Sequence, residues 1–101
     1  MNTKINFVYS DEGNYKTWFS EIVSGDATAE QIEAIRNSLI DNEFFVPSEL
    51  GFRCDYNEEA ASSFCAFDEP AFVRTAEQTT VSLTMEEVVE RFQSMRRKWR
   101  C

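Results

Sequence analysis

Residues 84–100 read TMEEVVERFQSMRRKWR, and this stretch decides the fold class. Thr84 followed by Glu87 three residues later is a capping box. The hydroxyl takes a backbone N–H of the first turn, and the carboxylate reaches back to the capping residue. Met85, Val88, Val89, Phe92, Met95 and Trp99 recur at spacings of three and four, which places them on one helical face. Glu86 and Glu87 stand in the first turn and Arg96, Arg97, Lys98 and Arg100 in the last, as the helix dipole favours. The pattern predicts one amphipathic helix over the whole stretch, whose apolar stripe must be buried against another element.

Upstream the period changes from about 3.6 to two. In residues 4–9, Ile5, Phe7 and Tyr9 alternate with Lys4, Asn6 and Val8, the pattern of a half-buried strand. Residues 10–14, SDEGN, carry turn chemistry, and residues 15–23 alternate again, with Trp18, Ser20 and Ile22 opposing Tyr15, Thr17, Phe19, Glu21 and Val23. Two alternating runs around a polar turn predict a β-hairpin. Ser24, Gly25 and Asp26 break the second strand. Thr28 and Gln31 form a second capping box, and Ala29, Ile32, Ile35, Leu39 and Ile40 predict a helix to about Asp41. Phe44, Phe45 and Val46 form a short apolar run stopped by Pro47, and residues 48–51 predict one helical turn ended by Gly51. A short strand is expected at 63–67, a turn at 68–70, and further strands at 71–76 and 79–83. The order β-β-α-β-β-β-α predicts a single α+β domain over 1–101. It is an antiparallel sheet of about four to five strands with two helices on one face.

The charge is unevenly placed. Of the net charge of −8, residues 1–90 hold all 18 acids against five bases, whereas residues 91–101 hold five bases and no acid. An acidic body disfavours direct binding of nucleic acid or anionic membrane and favours a protein with a basic surface. With 43% apolar residues and fourteen aromatics, the chain carries enough apolar surface for one core. No apolar run approaches the roughly 18–20 residues of a membrane span, and the N-terminus lacks the apolar core of a signal peptide. The expected location is cytoplasmic.

Elimination narrows the chemistry. The chain has no histidine, which removes Ser–His and Cys–His nucleophile pairs and the commonest general base. Gly13, Gly25 and Gly51 stand alone, so no glycine-rich phosphate cradle is present. The acid pairs Glu58–Glu59 and Glu86–Glu87 are adjacent in sequence, and adjacent residues on a helix do not face one another. Cys54, Cys65 and Cys101 form no C-x-x-C spacing, and without histidine no zinc set is expected. Reduced thiols are the expectation, with a Cys54–Cys65 bridge across the middle loop as the alternative. The expected protein is not an enzyme and needs no cofactor or metal.

Two surfaces remain as candidates. Residues 41–69 combine eight acids and one base with the aromatics Phe52, Tyr56, Phe64 and Phe67. Closely spaced acids can imitate the phosphates of a duplex, which carries roughly one charge per 1.7 Å of axis. The candidate partner-binding residues are Asp41, Glu43, Glu49, Asp55, Glu58, Glu59, Asp68 and Glu69, with Tyr56 as an aromatic anchor. Their plainer reading is a solvated acidic loop. The alternative interface is Arg96, Arg97, Lys98 and Arg100, through which the chain would pair with an acidic partner or a second copy. The plainer reading there is charge complementing the helix end.

The segments FVYSDEGNYK (7–16), GDATAEQIEAIRNSLIDNEFFVPSELG (25–51) and VSLTMEEVVERF (81–92) look like a group of small acidic proteins of bacterial mobile elements. The match is a strand ending in an acidic turn before N-Y-K, then a T-x-E-Q helix, then N-E-F-F-x-P. It covers roughly half the chain and implies no functional residue. In size, acidity and lack of catalytic groups the chain also resembles phage and mobile-element inhibitors of host defence, including anti-CRISPR proteins. That resemblance of type implies an inhibitor that occupies a basic nucleic-acid-binding surface.

Overall fold

A computed structural model describes residues 1–11, 13, 15–52 and 63–99. The alternating runs form an antiparallel hairpin of β1 (Asn2–Ser10) and β2 (Lys16–Val23), in register from Thr3 opposite Val23 to Ser10 opposite Lys16. Asp11 closes the turn. Its Oδ1 accepts the N–H groups of Gly13 and Tyr15 at 2.9 and 3.0 Å, and its own N–H donates to the Tyr15 carbonyl. Helix α1 (Ala29–Arg36) follows, then β3 (Phe44–Phe45), a 3-10 turn (Pro47–Leu50), β4 (Cys65–Thr75) and helix α2 (Met85–Met95). The four strands make one curled antiparallel sheet in the order β2-β1-β4-β3, so the molecule is α+β.

The two faces of the sheet differ. Thr3, Ile5, Phe7 and Tyr9 of β1 are buried, and the core they enter takes Phe19 and Val23 from β2, Ile35 from α1, and Met85, Val88 and Phe92 from α2. Phe45 is fully buried at the centre of an aromatic cluster, with its ring 4.8–6.4 Å from those of Phe7, Phe52, Phe67 and Phe92. Glu21 also lies on the core side, opposite Ile5, and accepts a hydrogen bond from the Thr80 hydroxyl. Burial of a carboxylate is costly unless it is hydrogen-bonded, and Thr80 contributes to that satisfaction. On the other face the register lines up one cross-strand row, Trp18, Val8, Ala66 and Phe44. Trp18 is 60% exposed in that row.

Both capping boxes form as read. Thr28 and Gln31 exchange side-chain to backbone bonds at 3.0–3.1 Å, and Thr84 and Glu87 do so at 3.1–3.3 Å. The 3-10 turn begins at Pro47 and ends at Gly51, whose φ of 78° is left-handed, where glycine carries no Cβ penalty.

Four boundaries differ from the expectation. Helix α1 stops at Arg36 rather than near Asp41. Leu39 and Ile40 keep helical spacing, but the Ile40 N–H and carbonyl bond to Phe44 instead, in an isolated bridge. The expected strands at 63–67 and 71–76 are one strand, β4, and the turn expected at 68–70 is a bulge within it. Phe7 faces Phe67 and Ile5 faces Phe72, so residues 68–71 all stand opposite Asn6, whose amide donates to the Pro70 carbonyl at 2.8 Å. Residues 79–83 are not a strand but run along the end of β2, where Thr80 and Ile22 exchange two hydrogen bonds and Ser24 bonds Leu83 and Met85. The Thr80 hydroxyl replaces a backbone acceptor there, which breaks the regular ladder. Finally, α2 ends at Met95, and residues 96–99 turn away from the helix axis.

Candidate functional site

The predicted acids that lie among the described residues do not converge on one row. Asp41 and Asn42 both adopt left-handed backbone, with φ of 52° and 59°, and the Glu43 N–H donates back to the Ile40 carbonyl at 2.9 Å. Two successive left-handed residues define a type I′ turn, and Asp and Asn tolerate that conformation better than most residues. The turn holds Asp41 and Glu43 exposed at the β3 edge of the sheet. Asp68 lies two residues along β4 from Ala66, the partner of Phe44, and is half-buried. Glu49 is exposed on the 3-10 turn. Asp55, Tyr56, Glu58 and Glu59 lie outside the described residues.

Glu69 has a structural occupation. Its Oε1 takes the Arg36 guanidinium at 2.7 Å and its Oε2 takes the Ala71 N–H at 3.2 Å, which braces the bulge against the end of α1. The hydrogen bond from Arg36 holds the Glu69 carboxyl below its ordinary pKa, assisted by the Ala71 N–H and opposed by slight desolvation. Arg36 also lies over the rings of Phe67 and Phe72, at 5.6 and 5.7 Å. Glu69 is therefore paired within the fold, although its side chain stays largely exposed.

The aromatics of the acidic stretch divide. Phe52 is buried and Phe67 packs among Phe45, Phe72 and Phe92, so both belong to the core. Phe64 is 42% exposed, with its ring 6.4 Å from that of Phe44. Phe64 and Asp41 share a cleft of about 450 Å³ with Leu39, Arg96, Arg97 and Trp99. Phe64 is one of the aromatics of residues 41–69, and nothing in a linear sequence separates it from its buried neighbours.

The cleft also reorders the basic candidates. Arg96, Arg97 and Lys98 are exposed, and none belongs to the last turn of the helix, contrary to expectation. Arg97 has φ of 67°, and this left-handed residue reverses the chain. The reversal lets the Trp99 indole N–H donate to the Ser38 carbonyl at 2.8 Å while its ring meets Phe92 edge-on at 5.7 Å. A partly buried indole still needs a partner for its N–H, and the carbonyl beyond α1 supplies one. Arg96 and Arg97 form no ion pair among the described residues. Arg100 lies outside them.

Thus the structure brings Asp41 of the acidic set together with Arg96 and Arg97 of the basic set, beside an exposed phenylalanine. Among the described residues, no cluster of three or more Cys, Asp or Glu is placed to hold a metal ion. No helix among them is long and apolar enough to cross a membrane. No protein-family model, curated protein or solved structure matches the chain, and the functional reading therefore rests on geometry and charge.

Proposed function

We propose that this chain is a non-enzymatic protein-binding module, an inhibitor of anti-CRISPR or related anti-defence type. It seats its acidic β3 edge on the basic surface of a nucleic-acid-handling protein. The observation that carries this reading is the type I′ turn, which presents Asp41 and Glu43 without an ion pair among the described residues, beside the half-open pair Phe44 and Phe64. An aromatic centre rimmed by charge is the usual anatomy of a protein interface. The acids stand in for phosphates and steer the encounter, while the rings exclude water from its centre. Asp68, half-buried on β4 two residues from Ala66, is the third acid assigned to this edge. Glu69 is left out because Arg36 holds it.

The test is capture from nuclease-treated bacterial lysate on the immobilised chain, eluted with rising salt. The wild type is expected to retain a basic nucleic-acid-handling protein that leaves in a salt step. The triple variant Asp41→Lys, Glu43→Lys, Asp68→Lys should lose it while keeping its circular dichroism spectrum. Capture that survives the triple reversal excludes this edge as the docking site.

A second reading, a regulatory subunit that takes an acidic partner through its C-terminal bases, is favoured by one observation. Arg96 and Arg97 face a cleft without an ion pair of their own. Reversal of both to glutamate would abolish that association, and because both line the cleft with Asp41 it would not weaken the capture of a basic protein by Asp41 and Glu43.

A further inference from the structure

The opposite edge of the sheet has a property that the acidic edge lacks. In an antiparallel strand, the N–H and C=O of one residue point to the same side and those of the next to the other. The direction is fixed here at several points of β2. Ile22 sends both backbone groups outward, its N–H to the Thr80 hydroxyl at 2.8 Å and its carbonyl to the Thr80 N–H at 2.9 Å. Ser24 does the same toward Leu83 and Met85, whereas the Tyr15 carbonyl turns inward to Asp11. The β1–β2 register is unbroken from Lys16 to Val23. By alternation, Lys16, Trp18 and Ser20 also point their N–H and C=O away from β1. None of these groups has a hydrogen-bond partner among the described residues, and all three residues are exposed.

This open edge is five residues long, 16–20, and is bounded on both sides. The Asp11 turn closes it before Lys16, and the segment from Thr80 covers it from Ile22 onward. It contains no proline, glycine or bulge. Unpaired strand edges of this kind are templates for strand addition.

We infer that the β2 edge is the site of a homodimer, in which residues 16–20 of two copies pair antiparallel about a two-fold axis through Trp18. The register follows from the bounds. Trp18 faces Trp18 of the second copy, and Lys16 faces Ser20. All outward groups of the open stretch are then satisfied, with two N–H···O bonds for each facing pair. A shift of two residues toward the C-terminus pushes one strand against the segment that already occupies Ile22, and a shift of two toward the N-terminus leaves the outward groups of Ser20 beyond the facing stretch. The side chains agree with this register. Lys16 is the one charged residue on the stretch, and it meets a serine, so no like charges stand opposite each other. The outer-face row of Phe44, Ala66, Val8 and Trp18 continues through the axis into the same row of the second copy. Two four-stranded sheets thereby become one of eight strands.

The net charge of −8 on each copy opposes association, so added salt tightens this dimer by screening. Docking of the acidic edge on a basic partner weakens with salt. The two surfaces are on opposite edges of the sheet, and their failures are separable.

The test is sedimentation equilibrium of the full chain under reducing conditions, across protein concentration and at two salt concentrations. The wild type is expected at twice the monomer mass, with tighter association at higher salt. Ser20→Pro removes an N–H that makes no bond within the monomer, and proline is tolerated at an edge position of that kind. It deletes two bonds from the symmetric pair and should weaken the dimer by roughly tenfold or more. Its circular dichroism spectrum should match the wild type. If that variant fails to fold, Trp18→Lys carries the test. Its side chain stands on the solvent face, and it sets two like charges opposite each other at the axis. A wild type that stays monomeric at millimolar concentration overturns the inference. So does a folded Ser20→Pro or Trp18→Lys variant that dimerises as tightly as the wild type.

Discussion

The two edges of this sheet are built on opposite plans. The β3 edge is two residues long, turned back by Asp41 and Asn42, and rimmed by acids. Beyond it β4 is broken by the bulge opposite Asn6, which the Arg36–Glu69 pair braces. Short strands, bulges and charges are the devices that keep an edge from pairing. The β2 edge has none of them over residues 16–20, apart from Lys16. Its regular backbone is open, and Trp18 stands exposed on it. The comparison teaches that exposure alone does not identify how a surface works. The first edge offers side chains and charge to a partner, whereas the second offers hydrogen-bonding backbone.

The largest way to break this contrast is to remove what fastens the short edge. Phe45 is fully buried and its ring meets four others. Phe45→Ala should cost about 3–5 kcal/mol in chemical denaturation, the range for a buried phenylalanine. A cost near that of a surface substitution would mean that β3 is not held by the core.

A smaller effect is expected at the turn that follows. Gly51 has φ of 78°, and a Cβ there would press on the Arg91 guanidinium, which donates to the Leu50 carbonyl at 3.0 Å. Gly51→Ala should therefore destabilise by about 1–2 kcal/mol, from left-handed strain and displacement of Arg91. Equal stability of the variant would show that the turn relaxes without the left-handed residue.

The smallest effect belongs to the brace. The Glu69 carboxyl is held below its ordinary pKa, so its ionised form is favoured in the folded state. That contribution is fully present above the unfolded pKa, and it is lost as pH falls through the depressed folded value. Both partners are substantially exposed, at 42% and 64%, which limits the contribution to a few tenths of a kcal/mol. Glu69→Gln should narrow the stability difference between neutral and acid pH by that amount in urea titrations. A variant with an unchanged pH profile would remove the brace from the account.

Much of the scaffold was legible in the residues. Alternation around Asp11 and Gly13 specifies the hairpin and its faces, the Thr28 and Thr84 capping boxes mark both helix starts, and Pro47 and Gly51 bound the short turn. Helix ends were harder to read. Leu39 and Trp99 keep helical spacing after their helices have stopped, because each is partly buried against the core through tertiary contacts that local pattern does not contain. The Asp41–Asn42 turn had a signal, two residues tolerant of left-handed backbone, which the continuing apolar spacing obscured. The two halves of β4 read as separate strands because Glu69 and Pro70 carry turn chemistry even inside a bulge. The candidate site was legible only as composition. Which acids were unpaired, that Phe52 and Phe67 were core, and that Asp41 shared a cleft with Arg96 and Arg97 all depend on tertiary contacts. The open β2 edge had no sequence signal, because pairing direction depends on which neighbour takes Ile22.

The most direct test of the contrast is amide hydrogen exchange along β2, residue by residue, at low and high protein concentration. At low concentration alternation is expected. Thr17 and Phe19, bonded to β1, should exchange slowly, and Lys16, Trp18 and Ser20 quickly. At high concentration the fast set should become protected while residues of the β3 edge stay unchanged. Uniform protection of residues 16–20 at low concentration, or fast exchange of Trp18 and Ser20 at every concentration, would contradict it.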